Sequence, residues 1–501
     1  MTDLILAHDL GTTGNKASLF DLEGNLLSSA FAGYHTEYPR PGWAEQDPAD
    51  WWRAVGESTQ RLLAESHRKP KDIKVVSFSG EMMGCLPVDD RGIPLRKAII
   101  WADQRAEAEA TFIAQKVGRD RMYQLTGHRV SPSYTAAKVL WVRNHQPDVY
   151  AHTHKVLQAK DYAVWKLTGK YATDFSDASG TNLFDLARRC WSDEILQAIQ
   201  LQPGLMPEAW PSSTVIGTVT RKAADQVGLR PGTAVVIGGG DGACATVGAG
   251  VVRPSDAYNY VGSSSWISFV SRHPLYDPQQ RTFTFAHLDP DYVFPTGTMQ
   301  CAGGSYDWLE RVFRGSGASA LYHQLDEAAS QVEPGAQGLF FLPYLIGERS
   351  PHWNPHARGA FVGLTMAHGR AEMARAVLEG VAFNLRIILD AFRQQAAPIA
   401  SLRLIGGGAR SPLWRQILAD VFNLPILRPR LLVEATSLGA AIAGGIGVSL
   451  YPDYSIAEQL VQVEAAEEPR PESAARYEEL YQIFKRTYDS LAGIYEDIAA
   501  L

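Results

Sequence analysis

The stretch VVIGGGDGACATVGAG, residues 235–250, sets Asp241 among Gly238, Gly239, Gly240 and Gly242. Glycine gives up side-chain contacts and loses more backbone entropy on folding than other residues, so the run predicts a need for bare backbone around one carboxylate. Two roles suit such a group. It can cap a helix, because VVIGGG reads as the end of a strand, ACATVGAG as the start of a helix, and aspartate is a favoured N-cap. It can also be a general base: phosphoryl transfer to an alcohol needs an acceptor for the hydroxyl proton, and glycines would leave room for acceptor and γ-phosphate to meet in line. The two roles are compatible.

Three further turns have the composition of phosphate or nucleotide loops: DLGTTGNK (9–16), VGSSSW (261–266) and GGGARS (406–411). Their glycines let backbone N–H groups approach an anion, the hydroxyls of Thr12, Thr13, Ser263 and Ser264 add donors, and Lys16 adds positive charge. Any one of them reads first as plain turn chemistry; three in one chain point to a ligand. Asp9, beside the first turn, could orient a metal-bound water or cap its own turn. There is no GxxxxGK[ST] and no GxGxxG opening a helix after the first strand, so neither a P-loop nor a dinucleotide fold is indicated. A phosphate would be held by hairpin turns.

The elements that carry these turns follow from apolar patterning. LILAHDL and KASLFDL are strand-length runs joined by GTTGN, and the turn at Gly24-Asn25 leads into LLSSAFAGY, an antiparallel meander. Asp47 and Pro48 open a helix through DPADWWRAVGESTQRLLAES. IKVVSFSG reads as a strand, and EMMGCLPVDDRGIPLRKAIIWADQR as two more around a turn. A helical insertion with mixed loops spans about 106–231, before the strand GTAVVIG. The segment VVRPSDAYNYVGSSSWISFV then repeats the strand-turn-strand opening, which predicts two halves on one plan divided near 250–255.

A chain of 501 residues, 46% hydrophobic and 20% charged, has the composition of a folded multidomain protein. A net charge of −7 with few Lys/Arg runs predicts a small-molecule partner, and neither nucleic acid nor an anionic membrane. Cys85, Cys190, Cys244 and Cys301 lie far apart without CxxC spacing, so no zinc site or disulfide framework is read. With no leader-like N-terminus and no long apolar run, the expected location is the cytoplasm.

SYTAAKVLWVRNH (133–145), with Lys138 and Trp141, and GAFVGLTMAHGRAEMARAVLE (359–379) resemble the two signatures of the FGGY carbohydrate kinase family, closest to its xylulokinase branch. GWAEQDPADWW, DFSDASGTNLFDL, FLPYLIGERSPHWNP and IGGGARSPLWRQILAD resemble segments of the same branch. The resemblance implies an α/β chain of two actin-like (ribonuclease H-like) ATPase domains with a catalytic cleft between them. Residues 1–250 would carry the sugar site, the first phosphate turn and the base, and 251–501 the nucleotide site. It implies ATP and Mg²⁺, a ketopentose acceptor such as D-xylulose, and frequent pairing into homodimers. Carried over by position, the base is Asp241, the phosphate turns are Gly11, Thr12, Thr13 and Lys16 and Gly262, Ser263 and Ser264, and the metal contacts are Asp9 and Asp241. Adenosine contacts fall on Gly407, Gly408, Ala409 and Ser411, with Gly303 and Asp307 in a further nucleotide stretch. The sugar would meet Met82, Met83, Trp101 and Asp103, the last read otherwise as a surface aspartate.

The sugar side departs from the family pattern. Where xylulokinases carry Gln-Met-His-Gly, this chain has Glu81-Met82-Met83-Gly84, and a thioether cannot donate as an imidazole does. Asp241-Gly242 stands where relatives have Asp-Asn, and EATSLGAA (434–441) is closer to glycerol and gluconate kinases. Ribulose, a tetritol, glycerol or gluconate therefore stay open as acceptors. A nucleotide-binding regulator without transferase activity is the alternative of another class, against which intact Asp9, Thr13 and Asp241 weigh.

Overall fold

The computed structural model describes residues 3–314 and 321–500. Two seven-stranded sheets form its frame. The first contains β1 (Leu4–Gly11), β2 (Gly14–Phe20), β3 (Leu26–Gly33), β4 (Ile73–Gly80), β5 (Val215–Thr218), β6 (Ala234–Val236) and β7 (Gly239–Gly240). Its order is β5-β6-β4-β1-β2-β3, with β7 also paired to β4. The second contains β8 (Ala257–Val261), β9 (Ser265–Phe269), β10 (Phe283–Ala286), β11 (Val293–Met299), β12 (Leu402–Ile405), β13 (Ile426–Pro429) and β14 (Val463–Glu467), in the order β10-β11-β9-β8-β12-β13-β14.

The two sheets share a plan. In the first, β1, β2 and β3 form an antiparallel meander, after which β4 pairs parallel with β1 and β6 parallel with β4. In the second, β8, β9 and β11 repeat the meander, with β12 parallel to β8 and β13 parallel to β12. The run LILAHDLG is apolar on both faces because β1 is a central strand with helices above and below it. This is the duplicated arrangement that the repeated strand-turn-strand pattern predicts.

Helices cover both sheets. Those that bear on the site are α1 (Pro48–Ser66), α2 (Arg119–Thr126), α3 (Thr135–His145), α4 (Ala159–Thr168), α5 (Asp241–Gly248), α6 (Gly303–Arg314), α7 (Arg370–Arg393), α8 (Pro412–Phe422) and α9 (Ala435–Gly447). Asp47 caps α1, its carboxylate accepting the Ala49 N–H at 2.9 Å, with Pro48 in the first turn. No helix among the described residues is long and apolar enough to cross a membrane.

A division at residue 250 separates the strands of the two sheets but not their packing. Helix α9, from the second half of the chain, lies on β1 and β4 of the first sheet and against α5. Strand β10 reaches the other way: the Thr284 N–H donates to Gly127 O at 3.0 Å and the Ala286 N–H to Ser179 Oγ at 3.1 Å. One apolar cluster therefore draws on both halves, with Met82, Met83 and Tyr134 beside Phe283, Phe285, Phe294 and Leu438.

Helices α5 and α9 touch through glycine. A β-carbon at Gly439 would lie 1.9 Å from Cys244 O, and one at Gly248 1.7 Å from Ala435 O. Alanine in a helix is otherwise better than glycine by about 1 kcal/mol. Gly439→Ala is expected to cost about 1–3 kcal/mol through forced separation of the helices. Gly493→Ala, in a helix where an added methyl meets nothing within 4 Å, is expected to stabilise. Denaturant unfolding of the two variants checks both signs.

Candidate active site

Three adjacent parallel strands, β7, β4 and β1, end at one edge of the first sheet. Asp9 lies near the end of β1, paired with Ser79 of β4. Glu81 directly follows β4, its N–H donating to Leu10 O at 2.8 Å. Asp241 directly follows β7 and is the first residue of α5. The strand register thus gathers three carboxyl groups that the sequence spreads over more than 200 residues.

The helix begins on Asp241 itself, with Gly240 as its N-cap, so the capping role expected for Asp241 is corrected. Its Oδ1 accepts the N–H of the next residue, Gly242, at 2.7 Å. The glycines also differ from expectation. A β-carbon at Gly238 would fall 1.8 Å from Phe78 O, at Gly239 2.3 Å from Leu288, and at Gly240 2.6 Å from the Met82 sulfur. Protein neighbours fill those spaces, and only Gly242 has ordinary clearance, 3.6 Å from the Phe294 ring. The glycine run lets Phe78 O, Leu288 and Met82 approach the backbone closely; it does not clear a chamber around the carboxylate.

Asp241 keeps a partly open face, yet desolvation, followed by the negative charge of Asp9, raises its pKa to about 7 against the pull of the Gly242 N–H. Burial likewise raises Asp9, opposed by Lys16 and by the nearby Ser79 hydroxyl. Glu81 is pushed up to about 8, by burial first; the Thr12 hydroxyl opposes this, Asp241 adds to it, and Lys138 opposes it again.

Behind Asp241 lies a buried charge network. The Gly240 N–H donates to Ser176 Oγ at 2.9 Å, and that hydroxyl donates to Asp174. Asp174 meets Lys160 at 3.0 Å, and Lys160 also reaches Asp161 at 2.7 Å and Asp177 at 3.1 Å, every one of these side chains closed to solvent. The residue before Asp241 is thereby tied to α4 and to the short helix Phe175–Ser179.

On the side expected for the acceptor, Met82 and Met83 are 6% and 8% exposed, and Met83 has a left-handed backbone, φ 67°. A bulky residue rarely adopts that conformation without external support. Lys138 supplies it: its fully buried ammonium donates to Met83 O at 2.8 Å, Ile100 O at 2.7 Å and Ser133 O at 2.7 Å. Desolvation lowers the Lys138 pKa to about 7, against the raising effect of Asp103 and other anions. Trp101 is 36% exposed, and its indole N–H donates to Thr12 Oγ1 at 2.9 Å. Asp103 is no surface residue. It is closed to solvent, ion-paired to Arg105 at 2.7 Å and bonded to the Ala44 N–H at 2.6 Å, so it braces the Trp101 turn.

The first phosphate turn, Gly11-Thr12-Thr13, lies above Asp9, and Lys16 on β2 reaches across to Val433 O of the second half at 3.3 Å. The second turn, Gly262-Ser263-Ser264, is built against the start of α6. The Ala302 and Gly304 N–H groups donate to Ser263 O at 2.8 and 2.9 Å, and the Gly303 N–H to Gly262 O at 2.8 Å. The third turn packs on the second: Gly408 permits contact with the Val261 side chain, Gly407 faces open space, and Ala409 is buried. Ser411 caps α8 by accepting the Trp414 N–H at 3.2 Å. An open chamber of about 420 Å³ is lined by Ser263, Gly304, Asp307, Arg311, Arg314 and Tyr322, with Asp307 accepting the Tyr322 hydroxyl at 2.9 Å.

Among the described residues no three His, Cys, Asp or Glu side chains converge as a metal cage. Asp9 and Asp241 offer two carboxylates of raised pKa. Such a pair suits a hard divalent cation that takes its remaining ligands from phosphate and water. Glu81 is not among the residues that the sequence places at the site. Its signal there is weak: one acidic residue at the end of a strand, next to two methionines.

Duplicated sheets, Gly/Ser/Thr hairpin turns in each half of the chain and an aspartate at a strand-to-helix junction are the frame of a two-lobed phosphotransferase. Residues 4–248 match the N-terminal domain, and residues 257–448 the C-terminal domain, of the FGGY family of carbohydrate kinases; the chain belongs to that family. It is 36% identical over 485 residues to a xylulose kinase of Escherichia coli, covering 96% of this chain and 98% of the relative. Among solved structures, a gluconate kinase of Lactobacillus acidophilus superposes with a TM-score of 0.93 at 28% identity, covering 99% of this chain and 100% of that one. A ligand-bound xylulose kinase of the same organism gives 0.92, also at 28% identity and with the same coverage. The protein is accordingly an ATP-dependent carbohydrate kinase.

The packing of α6 on the second turn gives a test. A methyl at Gly303 would stand 2.3 Å from Gly262 O, a backbone atom that cannot swing aside. Gly303→Ala is expected to displace the turn and raise the KM for nucleotide at least tenfold while changing the acceptor KM less than threefold. Steady-state kinetics with each substrate varied in turn measures this.

Proposed function

We propose that this kinase phosphorylates a ketopentose, D-xylulose to D-xylulose 5-phosphate, at the terminal hydroxyl. Residues 1–250 would bind the acceptor and supply the base, and residues 251–501 would bind most of the nucleotide. The observation that carries the chemistry is Asp241: a carboxylate at the end of β7, pushed up to about 7, beside the first phosphate turn. A base of that strength holds a hydroxyl proton in the transition state and is about half ionised at neutral pH. The near full-length likeness to a relative named xylulose kinase supports the choice of acceptor.

In this reading Asp241 takes the terminal hydroxyl proton as that oxygen attacks the γ-phosphorus and ADP departs. Lys16 and the N–H groups of Gly11, Thr12 and Thr13 receive negative charge on the phosphates, and Gly262, Ser263 and Ser264 do so from the other lobe. Asp9 and Asp241 would hold a magnesium ion accompanying the nucleotide, whose role is to offset phosphate charge. Met82, Met83 and Trp101 supply the apolar walls of the acceptor site, with Asp103 behind Trp101. Gly303, Asp307, Gly407, Gly408, Ala409 and Ser411 surround the nucleoside. The likeness to a gluconate kinase structure supports an aldonate as the second reading.

ADP release from MgATP across ketopentoses, tetritols, glycerol and gluconate tests the assignment. D-xylulose is expected to have the highest kcat/KM, and Asp241→Ala to lower kcat at least a hundredfold; a different preferred acceptor would replace this reading.

The raised Asp241 pKa sets the pH dependence. The protonated acid cannot accept the hydroxyl proton, so acceptor kcat/KM is expected to be level above about pH 7 and to fall tenfold per unit below it. A pH-rate profile whose acid limb lay near pH 4 would remove Asp241 as a base of this strength.

A further inference from the structure

Glu81 sits at the end of β4, the central one of the three parallel strands, between the strand ends that carry Asp9 and Asp241. It is 4% exposed, and its backbone is held by the bond from its N–H to Leu10 O. One carboxyl oxygen, Oε2, accepts the Thr12 hydroxyl at 3.1 Å, and that hydroxyl in turn accepts the Trp101 indole N–H. The other, Oε1, is buried without a hydrogen-bond partner. An unpaired buried carboxyl oxygen is costly, and structures rarely retain one unless something completes it.

The surroundings identify what that is. The next two residues, Met82 and Met83, are thioethers packed in the apolar cluster, with Met82 against Gly240 and Gly180. Glu81 is thus the one polar side chain of this turn. The Thr12 bond fixes its orientation, and it lies close enough to Asp241 to feel its charge. We propose that Glu81 Oε1 binds a hydroxyl of the acceptor, which makes Glu81 a specificity-determining residue of the sugar site. The inference rests on Asp241 marking the acceptor side.

Glu81→Gln and Glu81→Met test it, through KM for the acceptor and for MgATP and through calorimetric binding of the acceptor alone. Glutamine can keep the Thr12 bond through its carbonyl and place its amide where Oε1 lies, so E81Q is expected within about threefold of wild type in acceptor KM. Methionine keeps the volume and loses the bond. E81M is expected to raise the acceptor KM and dissociation constant tenfold or more, with the MgATP KM within twofold. If E81M does not fold, Glu81→Asp, which withdraws the oxygen by one methylene, must give the same acceptor-selective rise. An unchanged acceptor KM, or a loss shared equally with MgATP through a displaced Thr12, would overturn the inference. If wild type prefers another acceptor, the ketopentose reading falls and the Glu81 inference stands or falls on that acceptor's KM; a wild type that binds no acceptor overturns both.

Discussion

Parallel strands that end together bring their following residues together, and in the first sheet those residues are acidic. Asp9, Glu81 and Asp241 share the edge formed by β1, β4 and β7, where desolvation is the first cost of ionising all three, Asp9 adds to that cost at Asp241, and Asp241 adds to it at Glu81. A site of this kind cannot be stabilised by its own members. Its geometry has to be imposed from outside, by backbone pairing and by charges placed behind it.

Two buried lysines supply much of that support, and neither bonds to the carboxyl groups of the acidic edge. Lys138 spends all three ammonium protons on carbonyls from three separate segments, which holds Met83 in its left-handed backbone and joins it to the turn before Trp101. Lys160 draws three aspartates together, and through Asp174 and Ser176 the network holds the N–H of Gly240. A buried cation with a full set of oxygen partners is directional, so these clusters fix the path of the chain more closely than apolar packing would. The acidic edge can then be under-satisfied, which is the state in which a carboxylate can take up a proton.

Features set by neighbours along the chain are legible in the sequence. The meanders, the hairpin turns that join their strands, the Asp47 cap and the position of Asp241 at a strand-to-helix junction all follow from local pattern, and the two long signatures carry the family. Features set by residues far apart are not legible there. Gly238 is glycine because Phe78 O approaches it, and Gly239 because Leu288 does, contacts across 160 and about 50 residues that a glycine run does not announce. Asp103 reads as a surface residue until Arg105 and Ala44 are seen around it. Glu81 reads as a variant of a familiar turn, and only the pairing of β4 between β1 and β7 places it beside Asp241. Nothing in the composition of α9 indicates that it covers the opposite sheet.

That last arrangement bears on how such a chain can change over generations. The strands suggest two interchangeable modules meeting near residue 250, and on that view recombination between relatives at that point is the simplest way to exchange nucleotide and sugar preferences. Yet the helix that starts at Asp241 is contoured, glycine to backbone, to a helix encoded almost 200 residues later. A hybrid gene joined at 250 would inherit the two faces of that contact from different parents. Unless both supplied a glycine at each crossing point, the mismatch would fall on the helix that starts at Asp241, so exchange of whole lobes at residue 250 would disturb the acidic edge where substitution around the turns would not.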